Sequence, residues 1–295
     1  MINFHGEHKT KNFFEGWYFK HQKNENTIAF IPGINIDKYG NKSAFIQVIT
    51  NTNSYNIKYS FLDFKCSKDE LEIQIGKSIF SKEGIDINIE NRDISIRGKI
   101  NYKEFTTIEY DIMGPFREIP FMECNHGVIS LYHKLTGSIK LNDKEIDFKD
   151  GVGYIEKDWG SSFPKEYLWI QCNCFENHEC SIMVSIADIP FMGINFRGCI
   201  CSVYYEGEEY RLATYNGVKI VNCNDKSVLL KRGKYKLKVY FTNNSAQNLL
   251  APENGDMSRI IQENLACRGR FEFYIDDELI FNLYSNNCSF EYLAK

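Results

Sequence analysis

The feature that most constrains the fold of this chain is an alternation of apolar and polar residues along most of its length. Ile85, Ile87 and Ile89, for example, are separated by single polar residues. Successive side chains of an extended strand point to opposite faces, so such a segment buries one face and exposes the other. No long stretch follows the 3.6-residue period of an amphipathic helix. The pattern predicts an all-β chain, with Ser258–Leu265 as either a short helix or a further strand.

The length and composition of the chain allow two β domains. It has 295 residues, of which 43% are hydrophobic and 15% aromatic, enough for a sizeable core. No linker rich in Pro, Gly or Ser separates its two strand-rich halves. The simplest expectation is two antiparallel barrels or sandwiches packed together, an N-terminal β domain at residues 1–160 and a C-terminal β domain at residues 161–295.

Charge and hydropathy limit the partners of this chain. A net charge of −4 and a pI of about 5.9 argue against general nucleic-acid binding. The N-terminal residues are polar, and no run is long and apolar enough to span a bilayer, so we expect a cytoplasmic protein. A lipid substrate would then be met in a transient contact with a membrane surface or be delivered to the protein.

The sequence predicts no metal and no other cofactor. Its ten cysteines include no Cys-x-x-Cys pair. Two Cys-x-Cys pairs, at 172–174 and 199–201, are expected to be small buried hydrophobes rather than disulfides or metal ligands. The segment His5–His8 contains two His and one Glu, a combination that is more often an exposed segment than a fragment of a metal site.

The densest group of reactive side chains lies between Gly153 and Phe175. In an extended chain Tyr154, Glu156 and Asp158 share one face, and the two carboxyls lie within roughly 7 Å of each other. If that face is dry, repulsion and desolvation favour keeping one proton, which makes a usable general acid. The alternative is an ordinary solvated or salt-bridged pair, with Lys157 or Lys165 as the partner.

A second strand follows the turn Gly160–Pro164. Trp169, Gln171 and Asn173 fall on one of its faces together with Tyr167. A face that mixes aromatic rings with amides suits the wall of a pocket better than open solvent.

Two further positions combine a polar group with apolar neighbours. Glu15 shares a strand face with aromatic residues, so it is either an acid of a pocket or one half of a buried ion pair, with Lys157 or an Arg as partner. His133 shares a face with Leu131 and Leu135, and His126 precedes that strand. A histidine on an apolar face is most often a hydrogen-bonded core residue.

Two blocks of this sequence resemble the tocopherol cyclase family. Phe13–Lys20 reads FFEGWYFK, similar to the opening block of that family. The run Gly153–Asn173 is similar to its later block, close to S-E-K-N-W-G-x-x-F-P followed by W-x-Q-C-N. Asp158 departs from this pattern, because an Asn stands there in the plant enzymes. The resemblance extends from about residue 10 to near the C-terminus and is weaker in the last third.

A more distant resemblance links the central motif to carotenoid hydratase-like proteins, in which an Asp stands at the position of Glu156. Those relatives pair two lipocalin-like, calycin-type domains. The resemblance therefore implies that both predicted β domains are lipocalin-like.

The resemblance also implies a chemistry. The family closes a chromanol ring by protonating an alkene of a prenyl tail, after which a phenol oxygen attacks the tertiary carbocation, and this needs no cofactor. Carried over to this chain, the implied catalytic residues are Glu156, Asp158, Glu15 and His133, with His126 as the alternative to His133 for taking or holding a proton. The implied substrate-binding residues are Trp17, Lys157, Trp159, Phe163, Trp169, Gln171, Asn173 and His126.

Three hypotheses follow from these observations. The first is an isomerase of the tocopherol cyclase type, which adds an oxygen nucleophile across an isoprenoid double bond by cyclisation of a prenylated quinol or by hydration. The second is a non-catalytic, lipocalin-like carrier of a hydrophobic small molecule. The third is a structural protein whose cavity is filled by its own side chains.

Overall fold

The computed structural model describes residues 3–119, 122–191, 194–242 and 246–294. Within these ranges the chain forms 22 strands and three short 3₁₀ turns, at Phe61–Asp63, Gly114–Glu118 and Thr214–Asn216. The prediction of an all-β chain is confirmed. Ser258–Leu265, which was predicted to be either a short helix or a strand, lies inside the long strand Asp256–Ile275. Within the same ranges, no helix is long and apolar enough to cross a bilayer.

The strands fall into two groups in chain order. Strands β1 to β12 are Phe13–Lys23, Asn26–Ile36, Lys42–Thr50, Ser54–Ser60, Phe64–Cys66, Glu72–Ile75, Ser78–Ser81, Gly84–Glu90, Ser95–Tyr102, Cys124–Leu141, Lys144–Asp147 and Val152–Gly160. Strands β13 to β22 are Tyr167–Cys172, Cys180–Phe191, Ile194–Tyr205, Glu208–Arg211, Lys219–Cys223, Ser227–Arg232, Tyr235–Thr242, Gln247–Glu253, Asp256–Ile275 and Glu278–Leu293.

The chain divides into two compact units. Unit 1 comprises Met1–Asp111, Phe121–Phe163 and Leu249–Ile260. Unit 2 comprises Ile112–Pro120, Pro164–Asn248 and Ile261–Lys295. The division at residues 160 and 161 that the sequence suggested stays a prediction.

The sheet of unit 1 curls over on itself. Its hydrogen-bonded order is β4-β3-β2-β1-β12-β10-β9-β8-β7-β6-β5, with β11 paired to β10. Phe80 of β7 packs against Phe19 of β1 and Phe30 of β2, with ring centroids 5.3 and 6.3 Å apart. Because β7 lies five positions from β1 in this order, the two ends of the sheet must wrap around one core. The inward residues of the alternating strands, such as Ile85 and Ile87, fill that core.

The sheet of unit 2 curls in the same way. Its order is β16-β15-β14-β13-β22-β21-β19-β18-β17, with β20 paired to β21. Tyr210 of β16 packs against Phe273 of β21 at a centroid distance of 4.9 Å, although the two strands lie five positions apart. Cys172, Cys199 and Cys201 are buried in its core as predicted, while Cys174 is only partly buried.

Pairing of β12 with both β1 and β10 brings the two sequence motifs together. In the antiparallel register Glu15 lies opposite Trp159, and Trp17 lies opposite Lys157. On the other side of β12, His126 of β10 lies opposite Asp158. Residues more than a hundred positions apart in the chain thus become neighbours on one sheet.

Two neutral histidines are buried in the interior of unit 1. His21 Nε2 is 2.6 Å from the Tyr102 hydroxyl, and His133 Nδ1 is 2.9 Å from Ser130 Oγ. Burial lowers the pKa of His21 to about 3. Burial, together with the neighbouring His21, also lowers the pKa of His133 well below its usual value. Both imidazoles are therefore uncharged in the folded protein at neutral pH.

The unfolding free energy of unit 1 should fall as the pH drops from about 6.5 toward 3. A histidine in the unfolded chain has a pKa of about 6.5. Because both folded-state pKa values are lower, the unfolded state binds protons that the folded state does not, and each such histidine adds a slope of about 1.4 kcal/mol per pH unit. Urea denaturation of a Trp169→Phe variant, followed by tryptophan fluorescence, measures this free energy. The remaining Trp17 and Trp159 both belong to unit 1, so the signal reports on that unit.

His21→Gln in the same background should reduce that slope by about one proton. Phe30→Leu is the matched control, because Phe30 lies 5.8 Å from His21 and carries no titratable group. This control should lower stability equally at every pH. An unaltered slope in His21→Gln would contradict the assignment.

Candidate active site

Strand β12 presents different chemistry on its two faces. Tyr154, Glu156 and Asp158 lie on the face opposite to the core of unit 1, whereas Ile155 and Trp159 belong to that core. At the end of the strand, Gly160 lies so close to β10 that a Cβ would approach the Glu123 carbonyl to 2.1 Å. Only glycine allows this approach, which accounts for its place in the motif.

His126 lies between the two carboxylates of this face. Its Nδ1 is 2.8 Å from Asp158 Oδ1, and its Nε2 is 3.3 Å from Glu156 Oε2. The second distance is that of an ion pair without hydrogen-bond geometry. The Tyr154 hydroxyl donates a hydrogen bond of 2.6 Å to Glu156 Oε2. We term these four residues the acid cluster.

The acid cluster is largely buried, and its imidazole holds a proton between the two carboxylates. The side chain of Glu156 is 5% exposed and that of His126 10%, whereas that of Asp158 is 22% exposed. Burial opposes a charged imidazole, but the carboxylates of Asp158 and Glu156 outweigh it and raise the pKa of His126 well above its usual value. The extra proton, expected from the sequence on a carboxyl, thus lies on the imidazole between the two acids.

Burial, reinforced by Glu156, raises the pKa of the Tyr154 phenol well above its usual value. Tyr154 therefore remains a hydrogen-bond donor to Glu156 at neutral pH. The Cys124 thiol, 4.0 Å from Asp158 Oδ1, also has its pKa raised by burial and by the nearby carboxylate, and stays neutral.

His126, Glu156 and Asp158 could also hold a metal ion, since their ligand atoms lie within 4.8 Å of one another. Each imidazole nitrogen, however, faces a different carboxylate. A metal ion bound to one imidazole nitrogen would lie beside only one of the two carboxylates. To bind both carboxylates as well, it would require the imidazole ring to turn away from one of them. The arrangement therefore fits a shared proton better than a metal ion.

A second charged group lies on the opposite face of β12, inside unit 1. Lys157 Nζ is 2.6 Å from Glu15 Oε1, and both side chains are fully buried. The ammonium also lies 5.1 Å from the ring centroid of Trp17 and 5.3 Å from that of Trp159. Of the two interpretations of Glu15, the structure contains the buried ion pair.

The segment near the N-terminus completes this ion pair. The backbone N–H of His5 donates to both carboxylate oxygens of Glu15, at 3.2 and 2.9 Å, and Lys157 Nζ donates to the Asn3 carbonyl at 2.5 Å. The imidazole of His5 stacks on Trp159 with a centroid distance of 4.3 Å. A buried carboxylate and ammonium need such additional hydrogen bonds.

The structure brings His126, rather than His133, to the two acids. His133 lies on the interior side of the sheet, where its Nε2 would be 2.2 Å from a Cβ at Gly153. Gly153 faces the side opposite to Glu156, because odd and even positions of the strand alternate. His126 was predicted as a substrate-binding residue and as the alternative to His133 for holding a proton, and only the pairing of β10 with β12 shows its proximity to Asp158.

Phe163, the remaining proposed binding residue of unit 1, lies just beyond the acid-bearing strand. Its ring packs edge to face with Phe14 at 5.5 Å, and its backbone N–H donates to the Pro252 carbonyl at 3.1 Å. It is thus held by β1 and by the hairpin of β20 and β21.

Three proposed binding residues belong to unit 2. Trp169 and Gln171 are buried on the face of β13 opposite to the core residues Leu168 and Ile170, and the buried Asn173 follows the strand. Their roles stay predictions.

Two carboxylates near β13 were missed by the sequence analysis. Glu291 lies opposite Trp169 in the sheet, and Glu263 lies opposite Glu291. The Tyr167 hydroxyl donates to Glu291 Oε2 at 2.5 Å, and Glu263 is fully buried. No local pattern marks them, because strand pairing across 124 positions brings Glu291 to Tyr167.

The two curled antiparallel sheets place this chain in a class of two-domain lipocalin-like proteins. Its fold is similar to that of CghA in complex with Sch210972, with a TM-score of 0.57, 8% identity and coverage of 96% of this chain and 89% of the other. It is also similar to kievitone hydratase from Nectria haematococca, with a TM-score of 0.56, 12% identity and coverage of 95% and 88%. The lipocalin-like fold prediction is confirmed.

The sequence itself identifies the family. The model described as tocopherol cyclase-like matches residues 90–292, so the chain belongs to the tocopherol cyclase-like family. Over 124 residues it is 26% identical to the probable chloroplastic tocopherol cyclase of Oryza sativa subsp. japonica and 25% identical to the chloroplastic tocopherol cyclase of Zea mays. Each match covers 41% of this chain and only 25% of the relative.

Removing one partner of the Glu15–Lys157 ion pair should destabilise unit 1 by about 3–5 kcal/mol, because the other charge is left buried. Glu15→Gln and Lys157→Met test this in the Trp169→Phe background by urea denaturation. The double variant should lose less than the two single variants together, since it leaves no unpaired charge.

The control for this cycle is the partly exposed pair of Lys23 and Asp147, whose side chains are 27% and 58% exposed. Lys23→Met should cost at most about 1 kcal/mol. Equal losses at the two pairs would show that burial does not control the energy of the Glu15–Lys157 pair.

Proposed function

We propose that this protein is an acid–base enzyme that adds an oxygen nucleophile across an isoprenoid double bond. The reaction is either cyclisation of a prenylated quinol or hydration. The observation that supports this proposal is the acid cluster, in which His126 links two carboxylates on a buried face. Membership of the tocopherol cyclase-like family supports the same chemistry.

The acid cluster is suited to protonating a weakly basic carbon. An isolated alkene needs a well-placed acid in a site from which water is excluded. Transfer of the imidazolium proton of His126 to Asp158 gives a neutral carboxylic acid beside a neutral imidazole. Asp158 is the acid that we assign to the substrate, because it is the more exposed of the two carboxyls, at 22% against 5% for Glu156.

The proton balance closes within one turnover. Asp158 gives its proton to one alkene carbon, and the π electrons form the new C–H bond, leaving a tertiary carbocation. The phenol or water oxygen then forms the C–O bond with a lone pair. Its released proton returns to the cluster, where Glu156 and His126 store it, so no external oxidant or reductant is required.

The carbocation needs a nearby electron-rich surface. Aromatic faces stabilise a cation by about 0.5–2 kcal/mol each. Trp17 and Trp159 already face the ammonium of Lys157 inside unit 1. We therefore assign this role in unit 1 to Phe163, which packs against Phe14 beyond the end of β12.

Glu156→Gln/Asp158→Asn should abolish turnover while leaving ligand binding intact. General acid–base catalysis contributes typically 10²–10⁴-fold, and the amides keep the shape of the side chains but carry no transferable proton. The measurement is incubation with a prenylated hydroquinone, followed by chromatographic detection of the isomeric chromanol and of a hydrated product. Binding is measured in parallel by fluorescence quenching.

Glu145 and Asp147 offer a matched control, because they have the same spacing on the exposed strand β11. Glu145→Gln/Asp147→Asn should turn over at the wild-type rate. Tight binding by wild type and by both double variants, with no product from any of them, would instead favour the carrier hypothesis.

His126→Gln should move the alkaline limb of the pH–rate profile to lower pH. In the wild type the extra proton is held by an imidazole whose pKa lies well above its usual value, so activity is lost only as the pH rises through that high pKa. Without the imidazole the proton must be shared by the carboxyls alone. An alkaline limb at the same pH in both proteins would exclude His126 as the proton store.

A further inference from the structure

One outward sheet face of unit 2 is basic. Outward positions of β17, β18, β19 and β21 alternate with core residues such as Leu230 and Phe271. Six cationic residues occupy these positions, and together we term them the basic face: Lys219, Lys231, Lys236, Lys238, Arg268 and Arg270. The chain as a whole has a net charge of −4, so this face is opposite in sign to the molecule.

Three lysines of the basic face form a row across adjacent strands. Lys219 lies directly opposite Lys231, and Lys231 lies directly opposite Lys236. Like charges at directly opposed positions of an antiparallel sheet are destabilising. Asp277 contacts Lys236 of this row at 2.7 Å, but one carboxylate faces three lysines, and an anionic partner would relieve the remaining repulsion.

Exposed tyrosines accompany the cations. The guanidinium of Arg270 lies 5.8 Å from the ring centroid of Tyr240 and 5.6 Å from that of Tyr284. These two rings are 43% and 62% exposed. Tyrosine has an apolar body and a polar tip, which favours the boundary between water and lipid.

Acidic residues neutralise the basic face only in part. Glu272 lies on the same face, directly opposite Lys238, and is 3.3 Å from Lys238 and 2.5 Å from Arg270. The other nearby acids lie in the hairpin turn at 276–278, where Asp277 contacts Lys236 at 2.7 Å. Against Glu272 and Asp277 stand six cations, so the face as a whole keeps a positive excess.

We propose that the basic face docks on an anionic lipid surface. The charge of the face is complementary to acidic lipid headgroups, each nearby Lys or Arg strengthening attraction roughly fivefold, and the exposed tyrosines suit the headgroup layer. The choice of a lipid surface over other polyanions rests on the proposed isoprenoid substrate, which would be dissolved in a membrane.

The direct test is co-sedimentation of the whole protein with vesicles. Wild type should bind vesicles containing phosphatidylglycerol but not vesicles of pure phosphatidylcholine, and added salt should release it. Lys219→Glu/Lys231→Glu should lower the partition coefficient by at least about tenfold. The single variant Lys231→Glu should leave thermal stability equal or higher, because its pairs with Lys219 and with Lys236 both become pairs of opposite charge.

The matched control is Lys58→Glu/Lys65→Glu, which changes the net charge equally on exposed lysines of unit 1. It should bind vesicles like wild type. A second comparison uses a tyrosine of the basic face, where Tyr284→Ser should weaken vesicle binding severalfold. Its control is Tyr39→Ser, which should bind like wild type, because the Tyr39 ring is 78% exposed but lies in unit 1. Equal losses in target and control variants would overturn the assignment to this face.

Two outcomes separate this proposal from the proposed function. Turnover of detergent-dispersed substrate without vesicle binding would overturn the docking proposal and leave the enzyme proposal standing. Vesicle binding through the basic face without any turnover would overturn the enzyme proposal and leave the docking proposal standing. Binding of an oligonucleotide but of no anionic vesicle would overturn the lipid as occupant of the face.

Discussion

Antiparallel pairing of β12 with β1 on one side and β10 on the other is the interaction on which the proposed site depends. Because side chains alternate along a strand, this pairing assigns every residue of the central motif to the interior or to the opposite face. A slip by one residue would put the carboxylates of Glu156 and Asp158 into the core and Lys157 outside it. The buried pair of Lys157 and Glu15 opposes such a slip, since a slip would leave a charge unpaired inside unit 1. The same pair thus fixes the strand that presents the acid cluster.

The two charged groups of β12 differ in their charge balance. For this reason we assign a structural role to the pair of Glu15 and Lys157 and the proposed catalytic role to the acid cluster. Glu15 and Lys157 match one carboxylate with one ammonium, both fully buried, and the backbone of His5 and Asn3 completes their hydrogen bonds. Such a pair has no proton to spare. The acid cluster matches two carboxylates with one imidazole, and one of its acids is partly exposed. The hydrogen bond between His126 Nδ1 and Asp158 Oδ1, at 2.8 Å, is the path along which we propose that the imidazolium proton moves.

The sequence alone predicts the all-β fold and the two faces of β12, because both depend on a period of two that is local to each strand. It also predicts that Glu15 is paired or functional, because a carboxyl among aromatic residues must be one or the other. It does not predict which histidine joins the acids. His133 lies in a clear strand with apolar neighbours, while the partner of Asp158 is decided by the register of β10, whose bulges near Ser130 no local pattern reveals. Glu263 and Glu291 were missed for the same reason, since only long-range pairing brings them beside Trp169.

Asp158 is the position at which this chain departs from the sequence block that it otherwise resembles, a block that has an Asn there. An Asn would leave His126 beside one carboxylate, and the cluster would have the one-to-one balance of Glu15 and Lys157. The second carboxylate adds a negative charge at 2.8 Å from the imidazole and so tightens its hold on the proton. It also adds an exposed carboxyl that can receive that proton and pass it on. The departure therefore adds a second carboxylate beside His126, and this is why Asp158 is the residue proposed as the proton donor in this chain.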